Sequence, residues 1–232
     1  MIRMYQTQQD LLLDISEPDQ GVIETLSKLQ GNLLLLGAGG KIGHGLALMA
    51  KRAMNNRVIA VSRFGDPATR KLFDDDGIET IQCDLTDTQA VQNLPDASDV
   101  IFLVGQKFGT SDGNESMTWL MNTCVPGTVA QRWKDSRIAL YSSGNVYAYA
   151  PVDSDGPAED GQLGPIGEYA QSVVGRERIF EFYARKNGTK MTTLRLNYAT
   201  EPRYGVLVDI ATQVLEGKPV DVTQGYANVV WA

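Results

Sequence analysis

Two cysteines, Cys83 and Cys124, and a single histidine, His44, are all this 232-residue chain offers of the side chains that build disulfide frameworks and zinc sites. So small a set forms neither. Basic residues are also scarce. Twenty-one Lys and Arg against 28 Asp and Glu leave a formal charge of −7, with no surplus to neutralise a phosphate backbone, which argues against duplex nucleic acid as a main partner. Long apolar runs are missing as well. Stretches such as Leu33–Leu36 fall far short of the ~20 residues a bilayer-spanning helix needs, so no membrane association is expected. Residues Met1–Asp14 mix Gln and Asp among apolar side chains and lack a signal-peptide core. The expectation is a soluble, cytoplasmic protein. Asp153, Asp155, Glu159 and Asp160 lack the ligand spacing of a calcium loop, and no metal is expected.

What is present is a rhythm. Short β-branched or leucine-rich runs at Asn32–Leu36, Arg57–Val61, Ile78–Gln82, Asp99–Val104, Arg137–Tyr141 and Lys190–Leu196 read as strands covered on both faces. Helix-like segments fall between them at Ile42–Met54, Pro67–Asp75, Thr88–Leu94, Glu115–Trp133 and Tyr169–Lys186. This repetition predicts a Rossmann-like, doubly wound α/β fold, a parallel sheet with helices on both faces and a ligand crevice at the carboxyl ends of its strands. Residues 1–31 form an N-terminal extension with a short helix at Val22–Leu29. Residues 32–200 form the α/β domain, and residues 201–232 a further segment with a helix at Tyr204–Glu216 and a strand at Val220–Thr223. The apolar ending Val229-Val230-Trp231-Ala232 reads as incomplete. Pro151–Pro165, rich in Gly, Pro and acids, reads as a loop bordering a pocket.

The first strand runs directly into Gly37-Ala38-Gly39-Gly40-Lys41-Ile42-Gly43. Glycines at 37, 40 and 43 meet three needs of a dinucleotide site: a tight turn, close approach of backbone to pyrophosphate, and close helix–strand packing. The strand before and the amphipathic helix after are the context that gives such a motif weight. Gly37, Gly39, Gly40, Lys41, Ile42 and Gly43 are therefore the candidate diphosphate cradle, at the positive end of the following helix. His44 is expected to face solvent or neighbouring backbone. The second strand ends in Ser62-Arg63 with no acid to accept from a ribose 2′-hydroxyl. Ser62 and Arg63 suit a 2′-phosphate instead, so NADP is expected ahead of NAD.

Together with Cys83-Asp84-Leu85, Leu103-Val104-Gly105, Asn122-Thr123-Cys124-Val125-Pro126-Gly127-Thr128, Tyr141-Ser142-Ser143-Gly144-Asn145-Val146-Tyr147, Tyr169 and Leu194-Arg195-Leu196-Asn197, these residues resemble the extended short-chain dehydrogenase/reductase superfamily, in particular the NAD-dependent epimerase/dehydratase family. The resemblance runs from Leu33 to the end of the chain, and implies that residues 32–200 are the NAD(P)-binding domain and that residues 201–232 begin a small, truncated C-terminal substrate lobe. It implies that Asp84 and Leu85 lie near adenine, that Val104 and Gly105 wall the adenine and ribose, and that Asn197 contacts bound ligand. It also implies a Ser at 143 that hydrogen-bonds substrate oxygen, a Tyr at 169 as acid/base, and a Lys four residues after that Tyr. The last is missing: position 173 is valine. Valine can neither anchor a ribose nor stabilise a phenolate. Arg176, one turn further along roughly the same face, could supply charge, although a surface arginine in the Gly175-Arg176-Glu177-Arg178 run is the simpler reading.

Gly144 and Asn145 stand where the family's sugar dehydratases place an Asp-Glu pair, which disfavours that reaction. Lys107, Thr110, Tyr147 and Asn197 are further candidate contacts, whereas Trp119, Trp133 and Phe108 read as packing. Two functions remain open. One is an NAD(P)-dependent oxidoreductase or epimerase acting on a small-molecule substrate, a sugar or nucleotide sugar; the other is a catalytically impaired dinucleotide-binding protein with a redox-sensing or regulatory role. Glu115–Trp133 and Tyr169–Lys186 are candidate surfaces for a homodimer, as the resemblance suggests.

Overall fold

Four consecutive leucines, Leu33–Leu36, make β1, and all four are buried because each face of the strand meets a different core. A computed structural model describes residues 5–106, 113–223 and 225–231. Its main sheet adds β2 (Val58–Ser62), β3 (Glu79–Gln82), β4 (Asp99–Phe102), β5 (Arg137–Ser143) and β6 (Met191–Leu196). The six strands are parallel, in the order β3-β2-β1-β4-β5-β6. The chain leaves β1 to one side through β2 and β3, then crosses to the other side for β4. That reversal is a topological switch point, where a crevice opens at the carboxyl edge.

Register fixes the rim of the crevice. Leu36 pairs with Val61 on one side and Phe102 on the other, so β1 and β4 end level and β2 runs one residue further, to Ser62. β5 runs on past Leu140, the partner of Phe102, for three more residues, carrying Ser143 about 10 Å beyond the end of β4.

Side-chain caps set several helix starts. α1 (Gln8–Ile15) begins at Thr7, α2 (Gln20–Leu26) at Asp19, α4 (Pro67–Asp75) at Asp66 and α5 (Thr88–Gln92) at Asp87, each accepting first-turn amides. α3 (Gly43–Ala53) has no side-chain cap. The long central segment is α6 (Glu115–Trp119), a π turn over Leu120–Cys124, and α7 (Val125–Arg132). Pro126 has no N–H to give the carbonyl four residues back, which accounts for the change of register there. α8 (Gly167–Asn187) ends at left-handed Gly188.

Helices cover both faces. Leu34 and Leu36 pack toward α5, α7 and α8 with Val91, Val129, Trp133 and Phe180. Leu33 and Leu35 pack toward α3, α4 and the N-terminal helices, with Ala47, Phe73 and Leu12. Residues 5–31 therefore form two helices where one was expected; the Thr7–Asp10 capping box is the signal of the first.

Beyond the sheet, β7 (Tyr198–Thr200) pairs with β8 (Val229–Trp231), with α9 (Val206–Leu215) between them in sequence. The strand expected at Val220–Thr223 is not formed. The Asp221 side chain takes the Thr223 amide at 2.9 Å, a local turn that competes with pairing.

Candidate active site

The glycine turn is tied down at its start. Gly37 has φ +85°, and its amide and that of Ala38 both donate to the Val61 carbonyl, at 2.8 and 3.1 Å. A Cβ at Gly37 would stand 3.0 Å from the Val104 amide, and one at Gly43 would land on the Ala38 carbonyl group, 2.6 Å from its carbon. Strand, turn and helix are thus in backbone contact. Among the described residues, the amides of Gly39, Lys41 and Ile42 give to no backbone acceptor. Open amides at an uncapped helix start form an anion site. These residues fit a dinucleotide diphosphate.

His44 departs from expectation. It is buried in the first turn of α3, with Nε2 2.8 Å from Asp76 Oδ2 and its ring centroid 4.8 Å from that of Phe73. α3 packs here on the end of α4, and that contact claims the side chain.

At the end of β2, Ser62 lies against Gly39, where a Cβ would come within 2.6 Å of Ser62 Oγ. Arg63 is exposed, and its carbonyl accepts from Gln82 Nε2 at 2.9 Å. Asp84 is also exposed. The Thr86 amide and hydroxyl hold its carboxyl below the ordinary aspartate range, with a smaller contribution from Arg63. Leu85 and Val104 are buried walls, while Gly105 and Asn197 are exposed on the rim. Asn197 Oδ1 presses on Gly144, so the ends of β5 and β6 are in close contact.

The candidate catalytic residues sit on β5 and α8, beside the π turn. Ser143 ends β5, and its Oγ accepts the Asn145 amide at 3.2 Å. Among the described residues its hydroxyl proton has no protein acceptor, so it can donate to a ligand. Tyr169 stands half-buried in the first turn of α8, and Val173 is buried below it. Ser172 Oγ donates to the Tyr169 carbonyl at 2.8 Å and accepts from Asn122 Nδ2 at 2.9 Å. Asn122, buried in the π turn, accepts from the Arg176 guanidinium through Oδ1.

Arg176 is not on the surface. It is 5% exposed and donates to the Tyr141 carbonyl at 2.9 Å. The charged run at 175–178 divides by helical phase: Arg176 and Glu177 face inward, whereas Arg178 reaches out to Glu181.

Tyr147 is similarly committed elsewhere. Its phenol takes Arg195 Nη1 at 2.5 Å and donates weakly to the Glu159 carbonyl, which pins the 151–165 loop. Arg195 in turn is held by Glu177. Trp133 is core, as read, but Trp119 is a partly exposed residue whose indole N–H donates to Glu168. Lys107, Phe108 and Thr110 lie outside the described residues. Glu177, Arg195 and Tyr204 went unnoticed as structural groups; Tyr204 closes over Lys41, whose Nζ is 4.9 Å from its ring centroid.

A glycine turn at a switch point, with Ser and Tyr on the neighbouring rim, defines a dinucleotide-site architecture. The sequence profile of the NAD dependent epimerase/dehydratase family matches residues 33–228, and the chain belongs to that family. No curated protein sequence matches.

Among solved structures, the UDP-glucuronic acid 4-epimerase of Bacillus cereus, in complex with UDP-glucuronic acid and NAD, aligns at 20% identity and TM-score 0.67 over 81% of this chain and 64% of its own. The UDP-glucose 4-epimerase of Thermotoga maritima, with UDP-glucose, aligns at 19% identity and TM-score 0.74 over 86% and 69%. The dTDP-glucose 4,6-dehydratase of Streptomyces venezuelae aligns at 20% and 0.69 over 80% and 62%. At these identities the likeness is one of fold, and the chain spans roughly two thirds or less of their lengths. No helix among the described residues is long and apolar enough to cross a membrane.

Proposed function

We propose that the chain is a nicotinamide-dinucleotide-dependent oxidoreductase or epimerase of a sugar-like substrate, most simply a nucleotide sugar. The observation that carries this reading is the open glycine turn at the switch point, with Ser143 and Tyr169 on the rim beside it. The amides of Gly39, Lys41 and Ile42 hold the diphosphate, between Val104 and Gly105 on one side and Ser62 and Arg63 on the other. A bound nicotinamide supplies hydride exchange with a substrate carbon. Ser143 donates its hydroxyl proton to the substrate oxygen and so fixes it. Tyr169 takes the proton from that oxygen during oxidation and returns it during reduction. Asp84 and Leu85 border adenine, Asn197 contacts ligand from the β6 end, and residues 201–232 begin the substrate lobe. α6 to α8 offer the surface for a homodimer.

NADP is the cofactor proposed ahead of NAD, although the Bacillus cereus epimerase holds NAD. The support is the acid-free end of β2, where exposed Arg63 can pair with a 2′-phosphate. In calorimetric titrations Arg63→Ala is expected to lose about tenfold in NADP affinity and nothing in NAD affinity, one charge-assisted contact being worth about 1.5 kcal/mol. Equal binding of both dinucleotides by the unaltered chain overturns the preference.

The whole reading is tested by adding UDP-glucose or UDP-glucuronic acid to the cofactor-loaded protein and following nicotinamide absorbance and substrate configuration. Turnover that falls about 10²- to 10⁴-fold in Tyr169→Phe supports it. Failure to bind either dinucleotide defeats it. Val173 favours a second reading, a dinucleotide-binding protein without turnover, because no cation stands at that position. Tight cofactor binding with no conversion of any nucleotide sugar is the result expected of that protein.

A further inference from the structure

An arginine without a carboxylate partner is an expensive side chain to bury, since a desolvated cation costs several kcal/mol unless something offsets it. Arg176 is such a residue. Among the described residues it forms no ion pair, and its Nε–H, buried as well, has no acceptor. Its guanidinium bonds only neutral oxygens: the Tyr141 carbonyl at 2.9 Å and Asn122 Oδ1.

Room for it is made deliberately. A Cβ at Gly105 would strike the guanidinium, with Cζ only 3.2 Å away and Asn122 Oδ1 3.3 Å away. Glycine at the end of β4 and arginine on α8 therefore go together. The π turn delivers Asn122 into the same space, and Ser172 ties that amide back to the Tyr169 carbonyl.

Helical phase gives the charge its direction. Tyr169, Val173, Arg176 and Phe180 follow one stripe of α8, at spacings of four, seven and eleven residues from the tyrosine. Burial lowers the guanidinium to about 10, and Tyr169 and Glu177 are the two groups whose anionic forms oppose that shift. At neutral pH it stays a cation. Glu177 is already held by Arg195 and by the Ser142 hydroxyl. The Tyr141 phenol is pushed upward by its own burial and stays neutral. Tyr169 is the other acidic group that acts on Arg176, from the same stripe of α8.

We propose that Arg176 is the positioning cation of this site, its guanidinium seated beneath Gly105 and stabilising the Tyr169 phenolate in place of an ammonium at position 173. This rests on the reading of Tyr169 as the acid/base. The charge arrives from one helical turn further along α8, and Asn122 holds it in place. Val173 is then an apolar spacer and no sign of lost chemistry.

The test needs no substrate. The ultraviolet phenolate signal of residue 169 is obtained by subtracting the pH titration of Tyr169→Phe from that of the unaltered chain. In an Arg176→Met background the same difference signal is expected to develop about one pH unit higher or more, because a nearby cation favours the ionised phenol. Arg176→Lys keeps most of the original behaviour, and adding Val173→Lys to Arg176→Met restores it. An unchanged titration in Arg176→Met overturns the proposal.

Should Arg176→Met fail to fold, Gly105→Ala displaces the guanidinium without removing it. The same upward movement is expected there, and its absence is equally fatal. Turnover of UDP-glucose separates the two levels of the reading. If Tyr169→Phe leaves turnover intact, the acid/base role itself falls. If Tyr169→Phe abolishes turnover while Arg176→Met keeps the original pH–rate profile, only the role of Arg176 falls.

Discussion

Gly43→Ala is expected to weaken dinucleotide binding at least a hundredfold, about 2.7 kcal/mol, in calorimetric titration with NAD or NADP. The new methyl would overlap the Ala38 carbonyl, with the Ala38 carbon and Cα both 2.6 Å away. These are backbone atoms in a turn whose preceding amides are already fixed to Val61, so neither side can yield cheaply. Relief requires α3 to move away from β1, which spreads the open amides that would hold a diphosphate. Gly45→Ala, in α3 but outside the cradle, is the internal control. A Cβ there meets only Arg203 Nη2, at 3.7 Å, and Leu12 Cδ1, at 3.9 Å, both ordinary contacts. It should bind within a few-fold of the unaltered chain. Equal losses in the two variants would mean that binding answers to glycine content in general and not to the close packing at position 43.

The contrast between positions 43 and 45 marks how far a sequence can be read. The six strands and the glycine turn were legible because parallel strands buried on both faces must be apolar throughout, and β1 is leucine at every position. Family likeness placed Ser143 and Tyr169 on the strand end and helix turn that they occupy.

Three features were not legible, each for a physical reason. His44 follows the cradle in sequence, yet its partner Asp76 lies 32 residues away at the end of α4, a contact that no local pattern encodes. The 175–178 run looks like a solvated patch because charge is its strongest signal, whereas helical phase decides burial. Counting 3.6 residues per turn from Tyr169 puts Arg176 on the inner stripe, and that count was the better guide. The π turn depends on Pro126 denying a hydrogen bond to the preceding turn, and its product, an inward Asn122, is visible only once β4, β5 and α8 surround it. The surroundings of the candidate site are therefore set by tertiary neighbours of residues that the sequence marks plainly.

Glu177→Ala should give the largest loss of stability. Glu177 is 1% exposed, and its two oxygens take Arg195 Nε at 3.0 Å and Nη2 at 2.9 Å, with the Ser142 hydroxyl on the first of them. Removing one member of a buried pair leaves the other uncompensated, at a cost of about 3–5 kcal/mol. For a chain of this size that corresponds to a melting temperature lower by about 10 °C. Arg195 also holds the Tyr147 phenol and the Glu159 carbonyl, so amides near residues 159–163 should lose hydrogen-exchange protection in the same variant. Glu177→Gln, which keeps the shape but not the charge, should cost less, and Glu177→Leu combined with Arg195→Met should cost less than Glu177→Ala alone, because no charge is stranded.

The pH dependence has a definite sign. Glu177 raises the Arg195 guanidinium above its ordinary value, chiefly through its hydrogen bonds. A raised folded-state value contributes stability that is complete below the ordinary arginine range and is lost only as pH climbs through the raised one. The gap in melting temperature between the unaltered chain and Glu177→Ala should therefore stay level from about pH 6 to pH 9, as far as Arg195 controls it. A loss under about 2 °C would show that β5, β6 and α8 hold together without this pair, and that the 151–165 loop is anchored by something else.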